Sequence, residues 1–338
     1  MAANIKDVAK LANVSISTVS RVMNHASNVS PDIANRVNSA IKELHYQPNI
    51  IARSLSGSPF RAIGVAASRS SNSEYIAQIL SAIGTELNKR SYNMIVNFSQ
   101  NDNEEVTQCL SMVEGRIAQG MILLGSKNQD PLIKKLHKEK IPFIVIGAVA
   151  DPNLAPHVYT IDTDNRSDCQ RAVNYLFSLN HKNIACLHSS RQYTVTAERI
   201  NGFIDSHKDF GYEVNPEWII DAGYTLQEAY IKSIYLLQKP NRPSAIFATD
   251  DNKALGCYKA AAELSLNIPD DLSIIGHNNY ESSQITIPPL STVNVPVTTL
   301  GERAVQILCD VIEGIPVNRR TILPTELILR GSCKYYNG

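Results

Sequence analysis

The stretch "NIKDVAKLANVSISTVSRVMN", Asn4 to Asn24, contains two short amphipathic helix patterns separated by a brief interruption. In the first pattern, apolar residues recur from Ile5 at the spacing i, i+3, i+4 and i+7, which places them on one helical face. Asn4 is suited to cap this helix, and Asn13 is suited to end it because asparagine tolerates left-handed backbone. Two short helices joined by a tight turn are typical of a helix-turn-helix unit.

The second helix pattern has one apolar and one polar face. Ser15 is suited to cap it, and Val19, Val22 and Met23 are predicted to point inward. An arginine on the other face is long enough to reach a guanine edge in a DNA major groove. The outward face carries Ile16, Ser17, Ser20, Arg21 and Asn24.

A third helix pattern follows in "VSPDIANRVNSAIKELHY", where Ser30 suits the N-cap and Pro31 the first helical position. Residues 1–61 carry seven Lys or Arg and three Asp or Glu, whereas the remainder carries 25 and 29. A basic end on a mildly acidic chain is the asymmetry expected of a domain that meets phosphate. The alternative is a small helical domain that binds nothing.

The next segment, "YQPNIIARSLSGSPF", is compatible with a helix but too short to be stable alone. Pro48 and the Gly57–Pro59 stretch flank it, so it is interpreted as a linker. Leu55 is an unusual apolar residue in such a linker, and it suits a wedge between base steps in the minor groove. The alternative is that Leu55 packs on the rest of the protein.

The whole chain of 338 residues is long enough for two or three domains, and its 43% hydrophobic and 19% charged residues suit a globular protein. Six scattered cysteines form no CxxC or Cys/His cluster, which favours reduced thiols. The N-terminus shows no secretory apolar region, and no run of 18 apolar residues occurs. We therefore expect a cytoplasmic protein.

From Arg61 onward, short apolar runs alternate with helical patterns. The runs are "AIGVAA" (62–67), "YNMIVNFS" (92–99), "GMILLG" (120–125), "PFIVIG" (142–147), "YTIDTD" (159–164), "NIACLHS" (183–189), "WIIDAG" (218–223), "AIFATDD" (245–251) and "LSIIGHNN" (272–279). This alternation predicts parallel α/β sheets that are buried on both faces. Because the rhythm restarts near residue 160, we expect two lobes.

Polar side chains follow several of these strands, where ligands bind in parallel sheets. Hydroxyls, amides, carboxylates, an arginine and an aromatic ring suit a sugar, whose hydroxyls donate and accept. The alternatives are helix caps for Asp250 or Asp251, a turn for the stretch "DTDN" that contains Asp164, a surface ion pair for Arg199 and core packing for Tyr224. The candidate effector-binding residues are Ser70, Ser73, Tyr75, Asp164, Arg199, Tyr224, Asp250 and Asn278.

The stretch "IKDVAKLANVSISTVSRVMN" and the continuation "VSPDIANRVNSAIKELHYQPNIIARSL" resemble the DNA-binding head of the LacI (lactose repressor) family. The resemblance implies base reading by Ile16, Ser17 and Arg21, and base-edge or backbone contacts by Ser20 and Asn24. It implies phosphate contacts by Asn4, Ser15, Thr18 and Asn28, and hinge contacts at Asn49, Ala52 and Leu55.

The resemblance continues through the rest of the chain and implies a two-lobed periplasmic-binding-protein type I body with parallel sheets behind the all-α head. The implied divisions are 1–47 for the head, 48–60 for the hinge, 61–160 plus 290–322 for the first lobe, and 161–289 plus 323–338 for the second. Arg199, Tyr224 and Asp250 match effector positions of the family. The sequence "GHNN" departs from the family's "GFDD", with His277 and Asn278 in place of Phe and Asp.

The function implied is that of a dimeric repressor of a carbohydrate operon, bound to pseudo-palindromic DNA and controlled by a small sugar. Because "YTVTAERINGF" resembles the regulators of maltose operons, maltose or a maltodextrin is the expected effector; another sugar or a nucleoside is the alternative. The dimer interface is expected around residues 75–87 and 97–120.

Two other classes of protein compete with a regulator. A solute-binding transport component would suit the body but not the basic head. An enzyme is disfavoured because the phosphate-loop, dinucleotide, nucleophile-elbow and metalloprotease motifs do not occur. We therefore expect no catalytic residues, no cofactor and no metal site.

Overall fold

The computed structural model describes residues 3–23, 29–46, 61–67 and 74–337. The chain divides into two compact units, Met1–Phe60 and Arg61–Gly338, called here the head and the body. Several predicted site residues lie outside the described residues: Asn24, Asn28, Asn49, Ala52, Leu55, Ser70 and Ser73.

The described residues of the head form three helices, α1 (Ile5–Leu11), α2 (Ile16–Met23) and α3 (Pro31–Glu43). Val8, Val19 and Val37 are fully buried between them, as the apolar spacing predicts. Asn13 has a φ of +53°, so the chain turns there in the left-handed region as expected. Ser30 precedes α3 but its side chain makes no capping hydrogen bond, which corrects the prediction of a side-chain cap there.

The body alternates strands and helices along the chain. Its first part comprises β1 (Ala62–Ala67), α4 (Glu74–Lys89), β2 (Asn93–Phe98), α5 (Asp102–Glu114), β3 (Met121–Leu124), α6 (Pro131–Lys138), β4 (Phe143–Ile146) and β5 (Tyr159–Thr163). Its second part comprises α7 (Asn165–Ser178), β6 (Ile184–His188), α8 (Thr194–Asp209), β7 (Ile219–Asp221), α9 (Leu226–Leu237), β8 (Ala245–Ala248), α10 (Asp251–Glu263), β9 (Ser273–Asn278), α11 (Ser282–Ile285) and β10 (Ser291–Asn294). The chain continues through α12 (Val297–Ile312), β11 (Arg320–Leu323) and β12 (Glu326–Ile328).

The strands form two six-stranded sheets, each of which defines one lobe. The first has the order β11-β5-β4-β3-β1-β2, with every neighbouring pair parallel. The second has the order β12-β10-β9-β8-β6-β7 and is parallel except for the β10–β12 pair. The predicted fold class, an all-α head before a two-lobed body with parallel sheets, is confirmed.

The three predicted lobe limits are shifted in the structure, and the limit at 322 falls one residue before the end of β11. The limit at 160 falls inside β5, which pairs with β4 and ends at Thr163. The limit at 290 assigns β10 to the first lobe, but β10 pairs with β9, with Val293 opposite His277. The chain re-enters the first lobe only at α12, because the apolar face of this helix packs in the core that contains α4.

The parallel arrangement places the carboxyl ends of the strands at the edge where loops from both lobes meet. The chain passes between the sheets in three segments, at 163–165, 294–297 and 323–326. Short connections of this kind allow the lobes to move relative to each other. Among the described residues, no helix combines the length and the apolar character that a membrane span requires.

Candidate functional site

The first candidate site is the exposed face of the helix pair in the head. Asn4 caps α1 through its Oδ1, which accepts from the N–H groups of Lys6 (2.8 Å) and Asp7 (3.3 Å). Asp7 returns the bond by accepting from the Asn4 N–H at 2.9 Å. This reciprocal capping box fixes the start of α1.

α2 begins with a group of linked hydroxyls. Ser15 Oγ accepts from the Thr18 N–H at 3.1 Å and lies 2.8 Å from the hydroxyls of both Ser17 and Thr18. Ile16 is 44% exposed, and Ser17 and Arg21 are exposed on the same helix. The predicted recognition residues therefore share an accessible face, while Val19 and Val22 anchor the opposite one.

The second candidate site is a cavity between the two lobes, with a volume of about 170 Å³. It lies where the strand ends of both sheets meet. Its apolar wall is formed by Ile76, Leu124, Ile146, Val195, Val295 and Leu300. A small cavity with an apolar wall and several polar groups is typical of a ligand site.

Five of the predicted effector residues line this cavity, namely Tyr75, Arg199, Tyr224, Asp250 and Asn278. They come from α4, α8, the end of β7, the start of α10 and the end of β9. Sequence positions more than 200 residues apart therefore converge on one site.

The prediction that Asp164 lines the effector site is corrected, because its carboxylate caps α7. It accepts from the N–H of Ser167 at 3.1 Å and from the Ser167 hydroxyl at 2.8 Å. The acidic residue that lines the cavity is Asp162, two positions earlier in β5.

Asp162 and Arg199 reach the cavity from opposite lobes and are connected by an amide. Asn165 Nδ2 donates to Asp162 Oδ1 at 3.1 Å, and Arg199 Nε donates to Asn165 Oδ1 at 2.9 Å. Arg199 Nη1 also donates to the carbonyl of Thr249. The guanidinium is thus held in place, and its planar fork is oriented for a ligand acceptor.

Burial shifts the proton affinities of the groups around this arrangement. It raises the pKa of Asp162 to about 6, against the stabilising effect of the Thr163 N–H and the Arg199 charge. Burial also raises the pKa of Tyr75, whose hydroxyl is influenced by the charges of Asp162 and Arg199. Tyr75 is therefore a neutral hydroxyl, able to donate to a ligand and accept from it.

Asp250 lines the cavity and also serves as a helix cap, the alternative considered for it. It caps α10 by accepting from the Lys253 N–H at 3.0 Å, and its other oxygen pairs with the fully buried Lys253 amine. Asp251 instead lies beneath the cavity, where it accepts from the Thr292 hydroxyl and the Tyr280 N–H, both at 2.7 Å. Burial raises the pKa of Asp251 to about 7.

Asn278 occupies a left-handed conformation at the end of β9, with a φ of +101°. Its amide donates to the Tyr280 hydroxyl at 2.7 Å, and its oxygen lies 3.1 Å from Nδ1 of His277. His277 is fully buried, and burial holds its pKa well below the ordinary value, so the ring is neutral. Because this chain has "GHNN" where the family that it resembles has "GFDD", a fixed neutral amide stands at the position of a carboxylate.

An aromatic corner lies on the second-lobe side of the cavity. The rings of Tyr193 and Tyr224 meet edge to face, with centroids 6.4 Å apart. Tyr224 is 38% exposed, so its ring is not packed into the core and is available for a flat ligand face.

The lobes also touch each other directly beside the cavity. The Thr194 N–H donates to the Ser126 carbonyl at 3.1 Å, and the Asn128 N–H donates to the Gln192 carbonyl at 2.9 Å. These bonds join the loop after β3 to the loop before α8. They hold the lobes together on one side of the cavity.

Sequence reasoning missed Asp162, Asn165, Tyr193, Thr249 and Tyr280. Asp162 could have been recognised as a candidate, because it is a carboxylate inside a predicted buried strand. Buried carboxylates are rare unless they are paired with another group. No cluster of His, Cys, Asp or Glu with the geometry of a metal site occurs in the part of the chain that the structure describes.

The two units match two known families. Residues 4–49 match the family model described as bacterial regulatory proteins, lacI family. Residues 173–333 match the model described as a periplasmic binding protein-like domain. The first match covers the helix pair, and the second covers most of the second lobe.

Curated relatives match almost the full length. The chain is 32% identical to the HTH-type transcriptional repressor PurR of Haemophilus influenzae, over 98% of this chain and 99% of that protein. It is 34% identical to the repressor of the same name from Escherichia coli, over 94% and 92%. Among solved structures, a lac repressor dimer bound to operator and the anti-inducer ONPF is 26% identical, with a TM-score of 0.89 over 99% of this chain and 100% of that one.

Proposed function

The chain belongs to the lacI family of bacterial regulatory proteins, and we propose from this that it is a homodimeric repressor whose binding to a pseudo-palindromic operator is controlled by a small ligand. The relatives reported above are transcriptional repressors, which favours a regulator over an enzyme. A solute-binding role is disfavoured by the head.

DNA reading is assigned to the exposed face of α2. Arg21 suits a guanine edge, and Ile16 suits the methyl group of thymine. We assign phosphate contacts to Ser15, Thr18 and Asn4, because hydroxyls, amides and helix N-termini are suited to bind phosphate. The proposed minor-groove wedge, Leu55, and the proposed dimer contacts at 75–87 and 97–120 complete this assignment.

The effector is proposed to be a neutral ligand with one ring or one fused ring system. The carrying observation is that Asp162 and Arg199 approach one cavity from opposite lobes, so that a ligand must offer donors to one side and acceptors to the other. A monosaccharide and a purine base both satisfy this requirement. The cavity of about 170 Å³ is smaller than the roughly 300–1,000 Å³ that drug-sized ligands occupy.

The maltose hypothesis gains no support from the relatives, whose names give a transcriptional repressor called PurR and no maltose regulator. The small cavity of about 170 Å³ also favours a compact ligand over a disaccharide. A single sugar ring or a purine base is therefore preferred over maltose or a maltodextrin. The Tyr193–Tyr224 corner suits either, since both present a flat face.

The ligand controls DNA binding only through its differential affinity for two arrangements of the lobes. Bonds from both lobes to one ligand favour the arrangement in which Asp162 and Arg199 are close together. If this arrangement is the one that binds the operator, the ligand strengthens operator binding; if it is the other, the ligand weakens it. In both cases the size of the effect is the difference in ligand binding free energy between the two arrangements.

A thermal-shift screen of the full-length protein with hypoxanthine, guanine, glucose, ribose, galactose and maltose tests this class. A single-ring sugar or a purine base is expected to raise the melting temperature, and Arg199→Ala to remove the shift. A shift with maltose that exceeds all the others would contradict the proposed class.

A further inference from the structure

One wall of the cavity, at the end of β9, is formed by Asn278 and Tyr280. Both side chains are largely buried, and their neighbour His277 is fully buried. The backbone of Tyr280 is held on both sides, since its N–H donates to Asp251 Oδ2 at 2.7 Å and its carbonyl accepts from the Ser283 hydroxyl at 2.6 Å. The wall is therefore fixed by the fold before any ligand arrives.

The proton on His277 sets the direction of the hydrogen bonds along this wall. Burial holds the pKa of His277 well below its ordinary value, so the neutral ring carries a single proton. Asn278 Oδ1 lies 3.1 Å from Nδ1 of this ring, and an amide oxygen can only accept. The proton is therefore on Nδ1, and Nε2 keeps a lone pair to which no described residue donates.

The Asn278 amide passes this direction on to Tyr280. Its Nδ2 donates to the oxygen of the Tyr280 hydroxyl at 2.7 Å, so the proton of that hydroxyl remains available for a ligand. The reverse orientation of the amide would require the ring proton on Nε2 of His277. An N–H would then be buried without an acceptor, which costs free energy.

The same side of the cavity therefore offers donors. Arg199 lines it together with Asn278 and Tyr280. Asp250, the acidic residue on the second-lobe side, already accepts from the Lys253 N–H and pairs with the amine of that lysine. A ligand oxygen that only accepts fits this set better than a hydroxyl, whose own proton needs an acceptor that these donors do not provide.

We propose that Asn278 and Tyr280 select a ligand that carries a carbonyl oxygen on its ring, and that His277 is the positioning residue that makes both of them donors. The inference rests on the proposed effector site and names the ligand group that this wall recognises. The histidine and the asparagine of "GHNN" then act together, because the ring of His277 occupies the amide oxygen and leaves the amide N–H groups for Tyr280 and the ligand.

Isothermal titration calorimetry of the full-length protein with two matched pairs of compounds tests the selection. Hypoxanthine is compared with purine, and D-glucono-1,5-lactam with D-glucose. In each pair only the first compound has a ring carbonyl. In the pair that binds, we expect the carbonyl compound to bind at least tenfold more tightly than its partner, and the two pairs separate a base from a sugar as the source of the carbonyl.

Two changes on the wall are expected to reduce this preference. Tyr280→Phe removes one donor and should lower the preference at least threefold. Asn278→Asp replaces an amide donor by an acceptor of the same size and should leave a preference of less than twofold. Tyr258→Phe is the matched control, because the Tyr258 hydroxyl donates to the Pro288 carbonyl and does not line the cavity; its preference should equal that of wild type.

His277→Phe tests the positioning role. This change removes the donor to Asn278 Oδ1, although His277 itself does not line the cavity. The affinity for the carbonyl compound should fall more than that for its partner, so that the preference decreases at least threefold. A purely structural role would weaken both compounds of a pair equally, and equal losses overturn the positioning role.

The outcomes separate this inference from the proposed function. A wild type that binds the carbonyl compound no more tightly than its partner overturns the selection and leaves the effector site in place. A wild type that binds none of these compounds overturns the inference, and the proposed function is then decided by the wider thermal-shift screen. Circular dichroism checks folding, and Tyr280→Phe, which removes a single oxygen, decides the matter if Asn278→Asp does not fold.

Discussion

The head and the body present their polar side chains in opposite ways. On α2, Ser17 and Arg21 are exposed on one short helix beside Ile16. In the body, Asp162 and Arg199 lie within the protein and are already bonded through Asn165. The head therefore offers groups that only DNA will desolvate, whereas the body holds a ligand site that is preorganised.

This difference predicts different consequences of substitution. A change on the exposed face of the head should alter DNA affinity with little effect on stability, because surface substitutions change stability by no more than about 0.5 kcal/mol. A change in the cavity should alter both ligand affinity and stability, because it leaves buried partners without hydrogen bonds.

Arg199→Ala is expected to have the largest effect. It removes the hydrogen bonds to Asn165 and Thr249 as well as the ligand contact, and hydrogen bonds from a charged donor contribute about 1.5–3 kcal/mol each. Calorimetry should show at least a hundredfold loss of ligand affinity together with a lower melting temperature. Arg166→Ala is the control, since Arg166 pairs with Asp205 on the surface; equal losses in both variants would contradict the assignment.

Arg21→Ala is expected to lower the affinity for the operator by about tenfold to a hundredfold. This corresponds to the roughly 1–3 kcal/mol that a good base contact contributes. The melting temperature should stay close to that of wild type. Lys10→Ala is the matched control, because Lys10 is exposed on α1 and loss of a charge that acts only on phosphate lowers the affinity for specific and non-specific DNA equally. Fluorescence anisotropy with operator and random duplexes distinguishes the two, and an equal loss on both duplexes with Arg21→Ala would exclude base reading.

Acid is expected to weaken ligand binding through Asp162. The folded pKa of this carboxyl is about 6, so the carboxylate that accepts from a ligand is present above that pH and is lost below it. Affinity should fall by up to about tenfold per pH unit as the pH decreases from 6 to 5. Asp162→Asn should bind more weakly at pH 7.5 and show a flatter profile; an unchanged pH profile in this variant would rule out Asp162 as the source.

The same pKa shift has an effect on the free protein. Because the folded pKa is raised above 3.8, the folded state binds more protons than the unfolded chain between about pH 4 and 6. The free energy of unfolding therefore decreases as the pH rises through this range, and Asp251 acts in the same direction up to about pH 7. Denaturant titrations of Asp162→Asn should show a smaller decrease than wild type.

Asp164→Ala is expected to have the smallest effect. Loss of its cap on α7 costs about 1 kcal/mol of stability, whereas ligand affinity should be unchanged since the side chain does not face the cavity. Urea denaturation and calorimetry measure both quantities. Loss of ligand affinity at constant stability would restore Asp164 as a binding residue.

The same contrast explains what could be predicted from the sequence. The head site lies on contiguous residues, so the period of α2 places Ser17 and Arg21 on the outer face without knowledge of the rest. Strands β1 to β9 could be located to within three residues of their ends, because continuous apolar runs such as "AIGVAA" have few alternatives.

The cavity could be predicted only in part. Strand ends identify Asp250 and Asn278, and the helix after β6 contains Arg199. Asp162, however, lies within a strand that is buried on both faces, so the sequence pattern does not show which way its side chain points. Asp164 was misassigned because a carboxylate after a strand serves equally well as a helix cap. The lobe to which β10 belongs depends on its pairing with β9, which is a long-range contact that no local pattern encodes.

Operator titrations at fixed ligand concentration test the central claim most directly. Wild type and Arg199→Ala would be compared by fluorescence anisotropy, with and without the ligand that the thermal-shift screen identifies. The account predicts a change of at least fivefold in the operator dissociation constant of wild type, within the usual range of about 1–3 kcal/mol for coupled sites, and no change in the variant. A variant that responds like wild type at the same ligand concentration would contradict control of DNA binding through this cavity.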